Sequence, residues 1–334
     1  MKKIRIIATE EHFALPHYET AIKQTSAGPT SPLGLFREEQ KGRMPNVYQK
    51  LIDLGEGRLA DMDAAGIDMQ ALQFSGHQLD TLDKATATSF ARESNDALAE
   101  AIRAHPDRFT GFAQVALQDA EGAAAELERC VTRLGLKGAL WSGTCNGLFL
   151  DDPSFRPLLA AAEQLDVPIF LHPGAPSLEV FKACFSGLPD GVAGTLALAG
   201  WGWHVENGLH CLRLVLSGVF DRFPKLQFII GHMGENIPFS LARADEWLSP
   251  IATHLERSVA DYFLTNFHIN TSGYFTLQPL LCALTVFGAD RIMFGVDYPY
   301  SPNEDGRKLL DTAPLSPGDL EKIAHLNAER LLKL

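Results

Sequence analysis

The chain has 334 residues, 46% of them hydrophobic, enough to bury a large core in one α/β domain or two smaller ones. Its 41 acidic and 29 basic side chains leave a formal charge of -12, which argues against nucleic acid or an anionic membrane as the main partner. Five scattered cysteines without C-x-x-C spacing argue against a disulfide framework or thiolate zinc site, and no stretch reaches membrane-spanning length, so a reducing, cytoplasmic location is expected.

Short apolar runs alternate with longer helical patterns, and eight such runs are candidate strands. They lie at Ile4 to Ala8, Met69 to Phe74, Gly111 to Val115, Gly138 to Trp141, Pro168 to Leu171, Gln227 to Gly231, His268 to Thr271 and Ile292 to Val296. Eight strands with helices between them fit a single closed parallel (β/α)8 TIM barrel over residues 1–334. Expected helices include Tyr48 to Ala65, stopped by Gly66, and Ala85 to His105, stopped by Pro106. Others are Glu121 to Leu134, Leu158 to Leu165, Gly208 to Phe220 and a final one from Ser316 to Leu334. Two connections are long, Pro16 to Asn46 after strand one and Pro173 to Trp203 after strand five. Both read as loops over the carboxyl-terminal mouth, where such barrels place their sites.

Polar residues recur where the strands end. Glu10 and His12 are two apart and share one face of an extended backbone. Strand five runs into His172-Pro173-Gly174, strand six into Gly231-His232-Met233-Gly234-Glu235, and strand eight into Asp297-Tyr298-Pro299-Tyr300. One histidine after an apolar strand is ordinarily a hydrogen-bonded structural residue; four strand ends repeating the pattern point to a metal site. Three residues separate His232 from Glu235, so the carboxylate can orient the ring, or else serve as a charge at the start of the next helix.

The order E-x-H, His, His, Asp resembles the metal-dependent amidohydrolase superfamily, whose first element is usually H-x-H; here Glu10 replaces the first histidine. With H-P-G, G-H-M-G-E and D-Y-P-Y it is similar to the aromatic-acid decarboxylase branch, which contains 5-carboxyvanillate and γ-resorcylate decarboxylases. The likeness runs from Glu10 through Leu51 to Gly55 and Ala60 to Asp63 as far as Asn327-Ala328-Glu329.

The resemblance implies Glu10, His12, His172 and Asp297 as ligands of one divalent ion, Mn²⁺ or Zn²⁺, with His232 beside it and paired to Glu235. A second ion is not expected, because Lys137 starts rather than ends strand four. Arg243 and Arg43 match arginines that the branch places around an anionic substrate, and Trp201, Trp203 and Tyr300 are candidate walls for a planar ring. Glu11 reads as a solvated loop charge or as support for the ligands.

The activity implied is nonoxidative decarboxylation of an ortho-hydroxylated aromatic acid, with Asp297 as proton donor and His232 as charge stabiliser or proton shuttle. The alternatives are a metal-dependent hydrolase, lactonase or hydratase, and a noncatalytic binding barrel. The expected partner is a small aromatic carboxylate, in a homodimer or homotetramer, with Phe181 and Phe185 as exposed apolar contacts.

Overall fold

The apolar runs pair in parallel around a closed barrel in the computed structural model, which describes residues 4–18, 22, 31–76 and 79–334. Its strands are β1 Ile7–Phe13, β2 Met69–Phe74, β3 Phe109–Gly111, β4 Ala113–Gln114, β5 Ala139–Ser142, β6 Ile169–His172, β7 Phe228–Ile230, β8 Phe267–Asn270 and β9 Ile292–Met293. One sheet runs β1-β2-β3 and the other β4 to β9 in order. β3 and β4 are successive parts of one stave: the amide of Phe112 bonds Leu72 and that of Ala113 bonds Gly138, so the stave changes partner at Phe112. Closure is made by Thr9 N–H to Phe294 O (2.9 Å), Asp297 N–H to Glu10 O (2.8 Å) and His12 N–H to Tyr298 O (2.6 Å). The eight-stave barrel therefore stands.

Two boundaries differ from expectation. The first strand begins at Ile7 and runs through Phe13, with a register shift between Ala8 and Glu11, so Glu10 and His12 lie within it. The helix expected from Tyr48 to Ala65 is two, Val47–Ile52 and Glu56–Ala65, broken at Asp53-Leu54-Gly55. The other patterned segments are helical: Ala85 to His105 is Lys84–Ala104, whereas the helix expected from Gly208 to Phe220 already starts at Gly202, ends at Leu216 and is followed by the short Val219–Arg222.

Alternation divides the core. Ile7, Met69, Ala71, Phe112, Leu140, Phe170, Ile229 and Met293 fill the barrel, and Ala328 and Leu332 of the last helix, Asn327–Leu332, pack against them. The residues between them, such as Leu72, Leu171, Ile230 and Ile269, face the surrounding helices.

Neither long connection is a bare loop. Ser31 caps Pro32–Arg43 by accepting the Gly34 amide, and Ser177 caps Leu178–Cys184, which is followed by Asp190–Ala197. In the first connection, residues 19–21 and 23–30 lie outside the described residues. The two connections pack on each other: Leu33 and Phe36 from one meet Ala197, Leu198 and Trp203 from the other. A side chain at Gly194 would put its Cβ 2.9 Å from the Phe36 amide, so this contact needs a glycine. Phe181 and Phe185 are half-buried against this cluster, not exposed as expected. No helix among the described residues is long and apolar enough to cross a membrane.

Candidate metal centre

Four strand ends converge at the carboxyl-terminal mouth. β1 brings Glu10 and His12, β6 brings His172, and the turns after β7 and β9 bring His232 and Asp297. Glu10, His12 and Asp297 offer donor atoms all within 4.8 Å of one another, and so do Glu10, His172 and His232. His12 Nε2 is 3.0 Å from Asp297 Oδ1, and His172 Nε2 is 3.6 Å from Glu10 Oε1. Donors at about 2.1 Å from a shared ion stand roughly 3 to 3.5 Å apart, so these spacings suit one ion.

The local backbone is shaped for this approach. A Cβ at Gly231 would fall 2.2 Å from Glu10 Oε2, so only glycine leaves room for the carboxylate. His232 (φ 49°) and Asp297 (φ 72°) are left-handed, which costs a non-glycine residue on the order of 1 kcal/mol. Hydrogen bonds hold both: the His232 amide donates to Ser272 Oγ (2.8 Å), and the Asp297 amide donates to Glu10 O. The Ser272 hydroxyl donates in turn to Glu10 Oε2.

The donor set fits a divalent cation. Glu10 is fully buried, and its Oε1 makes no hydrogen bond among the described residues. Burial raises the Glu10 pKa, as does the charge of Asp297, against the opposing pull of His232 and His12. A buried carboxylate short of positive charge is what a cation would satisfy. His172 Nδ1 lies 2.7 Å from Pro173 O, which can only accept, so Nδ1 carries the proton and Nε2 keeps its lone pair towards Glu10. Asp297, 17% exposed, is the most accessible of the set. Burial pushes its carboxyl up, but the hydrogen bonds and charges of His12 and His232 outweigh this and hold it at about 2.

His232 stands differently. Its Nδ1 is 2.8 Å from Glu235 Oε1, which leaves Nε2 facing Asp297 Oδ2 at 3.8 Å. Burial opposes protonation of this ring, yet the charges of Glu235 and Glu10 and its bonds to Asp297 and Glu235 lift its pKa well above the ordinary value. Glu235 accepts a second imidazole: His204 Nδ1 lies 2.6 Å from Oε2, while His204 Nε2 is 3.1 Å from Ala199 O. Asn207 donates weakly to the same carboxylate at 3.4 Å. His204, His232 and Glu235 are thus closed on one another by hydrogen bonds, which leaves Glu235 little capacity for an ion.

The remaining expected residues divide. The Tyr300 ring lies 5.3 Å from that of His12, and its hydroxyl is 2.8 Å from Ser75 Oγ. The Trp203 ring, 6.2 Å from His172 and 5.6 Å from Phe36, joins the packed connections to the site. Trp201 is 54% exposed where its helix begins and forms no wall. Arg243 lies on the surface of this chain. It is 67% exposed, pairs with Glu246 at 3.0 Å and stacks on Trp247, because its turn of helix Ile237–Leu248 faces solvent. Arg43 is exposed at the end of helix Pro32–Arg43, just outside a cavity of about 240 Å³ that includes Met44, Lys50, Asp61 and Tyr300.

Glu11 is not a solvated charge: it is fully buried, and its oxygens accept the amides of Val296 and Tyr298 at 2.9 Å each. Lys137 Nζ bonds Lys333 O at the far end of the barrel, as its position at the start of a strand implies.

Comparison with known proteins adds the lineage. The amidohydrolase family profile matches residues 46–334. The chain belongs to the amidohydrolase family. Its relatives in that family include the γ-resorcylate decarboxylase of Rhizobium radiobacter, 38% identical over 98% of both chains. The structure of 5-carboxyvanillate decarboxylase from Sphingomonas paucimobilis is 34% identical, covers 99% of this chain and all of that one, and superposes with a TM-score of 0.90. The dihydroxybenzoic acid decarboxylase of Polaromonas sp., solved with manganese and the inhibitor 2-nitroresorcinol, is 33% identical over 99% of this chain and 98% of its own, with a TM-score of 0.87. These family members match the chain almost end to end.

Proposed function

We propose that this chain is a metal-dependent, nonoxidative decarboxylase of an ortho-hydroxylated aromatic acid. In this reading Glu10, His12, His172 and Asp297 hold one divalent ion, and His232 with Glu235 manages the proton. The observation that carries it is the convergence of two carboxylates and two imidazoles on one mouth, with a charged imidazole–carboxylate pair beside them. The manganese held by the Polaromonas relative supports that ion over zinc.

When bound, the metal supplies Lewis-acid polarisation of the substrate's oxygens. The chain's residues supply the rest. Trp203 and Tyr300 offer aromatic faces beside His172 and His12 against which a flat ring can lie. Decarboxylation adds a proton to the carboxyl-bearing carbon, breaks the bond to CO₂, and returns that electron pair to the ring. Asp297 is ionised in the protein's own field, so it must take a proton before it can give one. His232 is the nearby source: its Nε2 faces Asp297 Oδ2, and its Nδ1–H is held by Glu235. Proton delivery from His232 through Asp297 to the ring carbon assigns each group one role. A small aromatic carboxylate as substrate, a cytoplasmic location and a homodimer or homotetramer complete the proposal; exposed Phe239, Trp247 and Ile251 near one another in sequence support self-association.

The test is a panel of hydroxybenzoates and vanillate-type acids incubated with Mn²⁺-loaded protein, following ultraviolet change and dissolved CO₂ together. Loss of substrate matched by CO₂ is the expected result. Turnover without CO₂, or activity confined to lactones or unsaturated dicarboxylates, would replace decarboxylation with hydrolysis or hydration.

A further inference from the structure

At the end of the barrel opposite the metal centre, a cavity of about 380 Å³ opens among the starts of β6 to β9 and the last helix. Lys225, Gln227, His268, Arg291, Arg330 and Lys333 supply its basic and polar lining. Three carboxylates also border it, and each is already engaged. Glu163 accepts the Lys225 amide at 2.8 Å, Asp166 pairs with Lys333 at 2.5 Å, and Asp290 pairs with Lys322 at 2.9 Å.

Among the described residues, no carboxylate bonds either guanidinium. Arg291 Nη1 donates to Gln227 Oε1 (3.1 Å) and to His268 Nε2 (3.0 Å), and Arg330 Nη2 donates to the backbone oxygen of Asp290 (2.8 Å) and to Asn327 Oδ1 (3.1 Å). A guanidinium has no lone pair to offer, so His268 accepts at Nε2 and stays neutral, with its proton on Nδ1. That Nδ1 is buried and makes no hydrogen bond. Arg108, Arg129 and Arg213, by contrast, each bond a carboxylate. Burial and the charge of Arg330 hold Arg291 below its ordinary pKa, and burial with both guanidinium charges pushes His268 down to about 3. Two like charges are therefore held beside a polar cavity by neutral acceptors, with planar donor edges to spare for an anion.

We propose that this cavity binds a small oxyanion, the phosphate or carboxylate group of a metabolite, which Arg291 and Arg330 clamp with Lys225 at the rim. Its lining residues stand at the opposite ends of the strands that carry the metal centre, so the two sites are separate.

The metal-loaded chain, in a phosphate-free buffer of constant ionic strength, is titrated with inorganic phosphate while its melting temperature is followed. The expected result is a saturable rise of roughly 2 °C at about ten times the dissociation constant. The rise disappears in Arg330→Gln and Arg291→Gln, weakens in Lys225→Gln, and persists in Asp297→Asn. Lys225 and Arg330 are exposed, so their variants keep the test decisive even where Arg291→Gln fails to fold. Parallel titrations with acetate and glycerol phosphate show which group the site prefers, and an Arg330-dependent shift with either supports it. Absence of any saturable shift up to about 20 mM of all three ligands, or a phosphate shift that survives Arg330→Gln and Lys225→Gln, overturns the proposal.

Discussion

Glu11 brackets Asp297: its carboxylate takes the amides of the residues on either side, Val296 and Tyr298, and so fixes the turn that presents the ligand. The same residue belongs to the strand that carries Glu10 and His12, so one buried carboxylate joins the first and last contributions to the site. Glu11→Ala leaves two buried amides without acceptors, at roughly 1–3 kcal/mol each. The variant should lose on the order of 2–6 kcal/mol in chemical denaturation, and its metal content should fall because Asp297 is no longer held.

His204 turns one nitrogen to Glu235 and the other to a backbone carbonyl, which orients the carboxylate that orients His232. His204→Phe should keep its metal but lower kcat roughly 10- to 100-fold, with a smaller change in KM. Unchanged kcat in a metal-replete variant would make His204 a packing residue.

Chelation should abolish activity, and Mn²⁺ should restore it. Within the loaded enzyme, Asp297→Asn should reduce CO₂ release by roughly 10²- to 10⁴-fold. A variant with bound metal and nearly full turnover would remove Asp297 from the proton path.

Gly231→Ala tests the steric argument. The added methyl meets Glu10 at 2.2 Å, so Glu10 must move away from the shared centre. Elemental analysis should find metal well below one equivalent, in a protein whose circular dichroism is that of the wild type.

Glu206, on helix Gly202–Leu216, gives a pH prediction. Burial, with a contribution from the charge of Asp80, raises its pKa to about 7. The folded state therefore binds a proton that the unfolded state has already lost between about pH 4.5 and 7. Its contribution is greatest below that window and is lost as pH rises through about 7. Glu206→Gln should add on the order of 1 kcal/mol of stability relative to wild type at pH 8 and little at pH 4, read from denaturant midpoints.

The sequence displayed the converging side chains because each ends or lies in an apolar strand run: Glu10 and His12 in β1, His172 at the end of β6, and His232 and Asp297 just after β7 and β9 needed no long-range information. Glu11 was opaque because its partners are backbone amides 285 and 287 residues away, which carry no side-chain signature. His204 lies on a helix 31 residues before Glu235, and its spacing to the site has no periodic meaning. The helices in the two long connections were hidden by Pro and Gly content, although Ser31-Pro32 and Ser177 were readable caps. The exposure of Arg243 was not readable because helical position alone does not say which face turns to solvent. The third stave was read as one run, and its change of partner at Phe112 was not visible because a strand that changes neighbours reads as one continuous apolar run.

Glu10 also sets the electrical balance of the mouth. Two carboxylates and two neutral imidazoles around a divalent ion sum to zero, whereas a histidine at position 10 would leave one positive charge. With the proposed ligand set the loaded centre would be electroneutral, and a substrate anion would feel no net pull from the ion and its ligands together. Long-range attraction would then have to come from elsewhere in a chain of formal charge -12, and His232, whose Nε2 faces Asp297 Oδ2 at 3.8 Å, is a candidate for it. If His232 serves as the proposed proton source, capture of the anion and supply of the proton would draw on the same ring, and each turnover would leave the mouth less attractive to the next substrate until that ring is protonated again.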